Sequence, residues 1–149
     1  MITVIKSPFV QYKLTILRNK KTSNTVFRQT MNEISYLIAS DVLQYVPFKK
    51  QTIETPLKKM SGTVLGQPII LVPILRAGLG LLEGFAKFLP EAEKGHIGLY
   101  RDEQTYEPVE YLFKLPRVKN KKVLILDPML ATGTVSYTHL RAHETSSHL

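Results

Sequence analysis

Two short runs made only of aliphatic residues set the strongest limit on how this chain can fold. Ile69 to Val72 and Val123 to Leu126 each hold four consecutive aliphatic side chains. A strand with no polar face is typical of a parallel sheet that is covered on both sides. Because helical segments lie between such strands, the pattern predicts an α/β fold, a mostly parallel sheet with flanking helices.

Two segments have the periodicity of helices. Apolar residues recur at steps of three and four from Asn24 to Val42, which predicts an amphipathic helix with one apolar stripe. A second helix is predicted from about Leu79 to Phe88, where Pro90 prevents its continuation. The predicted stripe of the first helix consists of Phe27, Met31, Ile34, Ile38 and Val42.

The remaining segments predict extended structure and turns. Strand-like residues 96–101 and 109–113 flank a polar stretch, which predicts a β-hairpin arm. Residues 51–57 and those around Val64 are also interpreted as extended, with turn chemistry at Ser61-Gly62. The residues before the first helix are interpreted as an N-terminal arm.

Composition excludes several classes of function. The chain has no cysteine, so disulfides, thiolate metal sites and cysteine nucleophiles are excluded. No apolar run reaches the length of a membrane span, and the first residues lack the apolar core of a signal peptide, so a cytoplasmic protein is expected. The net charge is +8, and residues 1–60 hold ten basic but only three acidic side chains. That surplus fits an anionic partner or simply a solvated surface.

Unusual residues follow both buried strands, where ligands bind in parallel α/β sheets. Arg76 follows the first strand, and an arginine can grip phosphate through its planar fork. Gly78 would let backbone approach a ligand closely. Asp127 follows the second strand and could hold a ribose hydroxyl or a hydrated magnesium, with Thr132 and Gly133 presented to a phosphate. A surface arginine with a glycine cap and an ordinary loop are the alternatives.

Three strings of this chain, in this order, resemble uracil phosphoribosyltransferases. They are residues 72–80 (VPILRAGLG), 100–103 (YRDE) and 127–133 (DPMLATG). Shorter upstream matches include Thr22-Ser23 and Phe27-Arg28. The resemblance covers roughly residues 8–133, and we call the full-length protein of which this segment would form the N-terminal part the parent protein.

The resemblance implies a type I phosphoribosyltransferase fold that is incomplete here. It implies transfer of the phosphoribosyl group from 5-phosphoribosyl 1-diphosphate (PRPP) to uracil, giving UMP and diphosphate in pyrimidine salvage, with Mg²⁺ accompanying PRPP. Arg76, Arg101 and Asp127 would be the catalytic residues. The implied PRPP-binding residues are Arg76, Ala77, Gly78, Arg101, Asp127, Pro128, Met129, Leu130, Ala131, Thr132 and Gly133. A homo-oligomer is expected for the complete protein, and GTP is a candidate effector.

Residues 134–149 depart from the family pattern. The family continues with a second glycine and a serine, whereas this chain has Thr134-Val135-Ser136. The tail resembles translated sequencing-adaptor read-through, so we expect it to be artefactual and disordered, outside a domain at 1–133. The family's uracil-binding Gly-Asp-Ala segment is absent, so no uracil-binding residue is assigned and this chain is expected to be inactive. His139 and His143 are too few ligands for a structural zinc site.

Two questions stay open from the sequence. Some proteins with a phosphoribosyltransferase fold bind RNA or sense nucleotides, and the basic N-terminal part would suit such a regulator. Against this alternative, the chain has both arginines of the enzyme family, Arg76 and Arg101, and the enzyme-like sequence motif at Asp127–Gly133. Nucleic acid is therefore not the favoured partner. Asp102 and Glu103 either assist catalysis from the hairpin arm or form a solvated tip.

Overall fold

The predicted α/β fold is confirmed. The structure, a computed structural model, describes residues 2–102, 104–105 and 108–129. In chain order, the elements are α1 Pro8–Arg18, α2 Asn24–Leu43, β1 Phe48–Glu54, β2 Lys59–Leu65, β3 Ile69–Leu75, α3 Leu79–Phe88, β4 Glu93–Lys94, β5 His96–Arg101, β6 Pro108–Lys114 and β7 Lys122–Leu126. Within the described ranges no helix is long and apolar enough to cross a membrane.

The central strand of the main sheet is β3. It pairs in parallel with β7 through five residues, from Ile69 with Lys122 to Pro73 with Leu126. Its Ile70 also pairs with Glu93 of β4, so β4 and β7 lie on opposite edges of β3. Farther along, β3 pairs in parallel with β5, and β6 closes the sheet antiparallel to β5. The carboxyl ends of β3, β5 and β7 therefore lie at one edge of the sheet.

Both faces of β3 are buried, as the aliphatic run predicts. Leu71 packs with Phe85 and Leu126 against α2 and α3, while Ile70 and Val72 form a second cluster with Ile97 on the other face. The two runs of four aliphatic residues thus form neighbouring strands in the middle of the protein.

The helices α2 and α3 cross at a contact between small residues. A Cβ on Gly84 would lie 2.2 Å from Ser35 Oγ and 2.5 Å from the Ser35 carbonyl carbon, so only glycine fits there. Ser35 and Ala39 are fully buried, whereas Phe27 of the predicted stripe remains 41% exposed. The buried face of α2 is therefore centred on Ser35 and Ala39, and Phe27 lies at its exposed margin.

Part of the predicted N-terminal arm forms a helix, α1. In α1, Ser7 caps the first turn by accepting a hydrogen bond from Val10 N, and Pro8 occupies the first position. The ammonium of Lys13 donates to Glu33 Oε2 at 2.6 Å, which joins α1 to α2.

A separate two-stranded hairpin is formed by β1 and β2, and its residues are largely exposed. The predicted turn at Ser61-Gly62 is wrong, because both residues belong to β2 and pair with Thr52 and Gln51 of β1. The turn lies instead at residues 55–58, where Thr55 Oγ1 accepts from Lys58 N and donates to Lys58 O. Gly62 leaves room for the Ile53 side chain on the opposite strand, because a Cβ on Gly62 would lie 3.1 Å from Ile53 Cδ1.

Candidate active site

Three of the predicted site segments lie at the same edge of the sheet. Arg76 follows β3 directly, Asp127 follows β7 directly, and Arg101 is the last residue of β5. Gly98 of β5 pairs with Leu75, so Arg101 lies three residues, about 10 Å, farther along its strand. The fold therefore brings together Arg76 and Asp127, which are 51 residues apart in the chain.

Gly78 brings the segments after β3 and β7 into contact. Residues 74–78 form a tight turn that contains Arg76, in which Gly78 N donates a hydrogen bond to Ile74 O at 2.8 Å. The Leu75–Arg76 peptide bond within it is cis. A Cβ on Gly78 would lie 2.3 Å from the Leu126 carbonyl oxygen and 2.6 Å from Ile74 N. The open space at this glycine is thus taken by protein backbone rather than by a ligand, which differs from the reason the sequence suggested.

The charged groups at this edge retain free binding capacity. Arg76 is exposed, and its guanidinium makes no hydrogen bond or ion pair with any residue that the structure describes. One carboxylate oxygen of Asp127, Oδ1, accepts a hydrogen bond from Met129 N at 3.0 Å, which fixes the start of the loop. A free arginine and an anchored aspartate can together hold a ligand that carries both phosphate and hydroxyl groups.

A cavity of about 630 Å³ joins the two loops to α2. Ala77 and Leu79 line it from one loop, and Pro128 and Met129 line it from the other. Its wall on the α2 side includes Phe27, Arg28 and Asn32, and Glu83 of α3 lies opposite. Sequence reasoning did not assign these four residues to the site, although Phe27-Arg28 was among the family-like strings.

The hairpin arm of β5 and β6 is confirmed, and Asp102 organises the residues described between the two strands. Arg101 pairs with Pro108 at the end of the ladder. Asp102 Oδ1 accepts hydrogen bonds from Thr105 N at 2.8 Å and Gln104 N at 2.9 Å. These bonds to the charged form, first from Thr105 and then from Gln104, lower the pKa of Asp102 below its ordinary value.

Some residues predicted from the sequence lie outside the part of the chain that the structure describes. They are Leu130, Ala131, Thr132 and Gly133 of the predicted site, Glu103, and the histidines of the tail. Among the residues that are described, no group of three or more histidine, aspartate or glutamate side chains could hold a metal ion.

Comparison with known proteins identifies the family. The family model for uracil phosphoribosyltransferase matches residues 4–146. The chain belongs to the uracil phosphoribosyltransferase family. The match includes every string that carried the resemblance.

Curated uracil phosphoribosyltransferases are close relatives. The protein from Lactiplantibacillus plantarum is 48% identical over 132 residues, covering 87% of this chain and 63% of its own length. The one from Legionella pneumophila strain Lens is 49% identical over 134 residues, covering 89% and 63%. The one from Finegoldia magna is 46% identical over 147 residues, covering 95% and 70%. This chain thus spans about 63% of the length of the first two relatives.

A solved structure shares the fold. The AQ2163 protein from Aquifex aeolicus superposes with a TM-score of 0.85 at 35% sequence identity, covering 95% of this chain and 69% of that protein. The arrangement of sheet and helices described above is therefore the arrangement of an experimentally determined protein.

Proposed function

We propose that the parent protein transfers the 5-phosphoribosyl group of PRPP to uracil, giving UMP and diphosphate. The observation that carries this proposal is the contact of Gly78 with the Leu126 carbonyl, which sets the Arg76 turn against the Asp127 loop. PRPP carries a diphosphate and a phosphorylated ribose on one small molecule, so its site needs a cation and a hydroxyl-binding acid close together. Family membership supports the same activity.

The residues of this chain suit a displacement at the anomeric carbon of ribose. As diphosphate departs, negative charge grows on its oxygens, and Arg76 and Arg101 would stabilise that charge. Asp127 would hold the ribose hydroxyls and offset the positive charge that develops on the ring. The loop 127–133 would bind the ribose and the 5-phosphate, and Ala77 and Gly78 would shape the diphosphate side.

Magnesium fits this site as a companion of PRPP. Asp127 is the single carboxylate on its loop, and one of its oxygens is engaged by Met129 N. Mg²⁺ keeps several waters and binds through one or two carboxylates plus substrate phosphates. When bound, the ion would offset the charge of the diphosphate; the sequence assigns no side-chain metal ligand, and Asp127 is the one carboxylate that its loop would offer.

Partners and location complete the proposal. We infer a cytoplasmic homo-oligomer with GTP as a candidate effector, and the exposed β1–β2 hairpin and basic α1 offer surface for subunit contacts. The domain boundary at 133 and the artefactual tail remain predictions, which resequencing of the source DNA tests. The relatives named above are all enzymes by name, and no observation favours the RNA-binding regulator.

The proposal is tested by UMP formation from uracil and PRPP in the parent protein with Mg²⁺. Arg76→Ala and Arg101→Ala are each expected to lower kcat/KM for PRPP about 100-fold, because each removes a charge contact to the leaving group. Arg117→Ala is the matched control, since Arg117 is exposed and precedes β7 at the opposite edge of the sheet. No UMP from the wild type, or unchanged kinetics in both site variants, would overturn the proposal.

A further inference from the structure

In the described part of the β5–β6 connection, the side chain of Asp102 accepts hydrogen bonds from Gln104 and Thr105. Asp102 Oδ1 accepts from two backbone N–H groups, and Thr105 Oγ1 adds a third hydrogen bond at 3.2 Å. Aspartate and asparagine favour turns by this kind of bond to the backbone two or three residues ahead. Asp102 therefore caps the turn that follows β5.

Asp102 is also the residue next to Arg101. Arg101 ends β5, and its ladder partner Pro108 starts β6, so Asp102 is the first residue beyond the paired strands. A change in the turn at 102–105 would change where the last residue of β5 lies relative to the sheet edge. A displacement of 1 Å in a group that contacts substrate can cost about 100-fold in rate.

We propose that Asp102 is a positioning residue that acts through Arg101, holding the end of β5 by capping the turn and taking no proton from substrate. This inference rests on the proposed function for its consequence, although the turn itself is a property of the described chain. The lowered pKa agrees with it, since the carboxylate is stabilised in its charged, hydrogen-bond-accepting form. A group used as a general base near neutral pH would instead need a raised pKa.

The chemistry of the cap separates this role from a catalytic one. An asparagine carbonyl can accept the same backbone hydrogen bonds without a charge. A glutamate keeps the charge but places it one methylene farther from the turn. For a positioning residue we therefore expect Asp102→Asn to stay within about threefold of wild-type kcat/KM, and Asp102→Ala and Asp102→Glu to fall about 10- to 100-fold. A catalytic carboxylate would give the reverse order for Asn and Glu.

A double-mutant cycle in the parent protein tests whether Asp102 acts through Arg101. We expect Arg101→Ala with Asp102→Ala to be no slower than Arg101→Ala alone, because the cap has nothing left to position. Glu91→Ala, an exposed acidic residue after α3, is the charge-removal control. Additive losses, or a Asp102→Asn variant as slow as Asp102→Ala, would overturn the inference.

Hydrogen exchange gives a readout that does not depend on activity. In this chain, amide exchange at Gln104 and Thr105 is expected to accelerate about tenfold in Asp102→Ala and to stay near the wild-type rate in Asp102→Asn. Unchanged exchange in Asp102→Ala would refute the cap. If the wild-type parent protein made no UMP, the proposed function would fail, while this comparison would still decide whether Asp102 holds the turn.

Discussion

Gly78→Ala perturbs the contact on which the candidate site depends. The added Cβ would lie 2.3 Å from the Leu126 carbonyl oxygen, whereas ordinary contacts begin at 3.4 Å, so the two loops must separate by about 1.1 Å. Its other neighbours, Ile74 N at 2.6 Å and Ile74 O at 2.7 Å, are also backbone atoms and cannot rotate away. The substitution therefore forces strand backbone to move.

The magnitude follows from that displacement. Overpacking of this kind costs about 1–3 kcal/mol, and we expect the upper end because three backbone contacts are violated. In the parent protein, a loss of about 3 kcal/mol lowers Tm by roughly 6–12 °C. A separation of about 1 Å between the diphosphate and ribose sides is expected to lower kcat/KM for PRPP about 100-fold.

Gly80→Ala is the matched control. Its Cβ would lie 2.8 Å from Met31 Cγ, which belongs to a flexible side chain that can adopt another rotamer. Alanine also favours the helix over glycine by roughly 0.5–1 kcal/mol. Thermal unfolding should thus separate the two variants clearly. An equal Tm in Gly78→Ala and Gly80→Ala, or a wild-type Tm and kcat/KM in Gly78→Ala, would refute the reasoning.

Two further predictions concern the helices that support the site. Gly84→Ala is expected to lower the free energy of unfolding by about 1–3 kcal/mol in urea titrations, because its Cβ would overlap Ser35; an unchanged midpoint would contradict the tight crossing. Hydrogen bonds from Lys13 and then Gln29 lower the pKa of Glu33. A lowered folded-state pKa stabilises the fold above the ordinary carboxyl pKa, and that contribution is lost as pH falls through the folded-state value. Urea midpoints from about pH 7 to about pH 3 should therefore fall less in Glu33→Gln than in the wild type, and identical pH profiles would count against the ion pair.

Elements with an unmistakable local pattern were predictable from the sequence. The helix over Leu79–Phe88 has the predicted bounds, and α2 ends one residue beyond its prediction. The two aliphatic runs are adjacent buried strands, although β3 continues through Pro73 to Leu75. In these segments periodicity, length and proline all indicate the same structure.

The errors arise where packing between distant residues decides the outcome. The turn chemistry of Ser61-Gly62 suggested a loop, but Gly62 is inside β2 because Ile53 needs the space across the hairpin. Hydrophobicity placed Phe27 in the core, whereas the close crossing at Gly84 buries Ser35 instead. The sequence does carry a start signal for α1, since Ser7 caps the helix and Pro8 is its first residue.

The sequence predicted which segments form the candidate site, but it did not predict which of their residues touch. The rule that ligands bind at the carboxyl ends of parallel strands selected the segments after β3 and β7, and the structure places these two segments side by side. That these strands are direct neighbours depends on strand order, which no local pattern encodes. The cavity wall of Arg28, Asn32 and Glu83 likewise appears only once α2 and α3 have packed.

The most direct test of the central claim is PRPP-dependent hydrogen exchange in the parent protein. With Mg²⁺ and PRPP, we predict slowed exchange in two segments, residues 76–80 after β3 and residues 127–133 after β7, with little change in the β1–β2 hairpin. Slowed exchange in both segments with PRPP would establish one site built from two strand ends. With ribose 5-phosphate alone, exchange in residues 76–80 should stay unchanged, and with diphosphate alone, exchange in residues 127–133 should stay unchanged. No change in either segment, or protection confined to the basic α1 surface, would contradict the account.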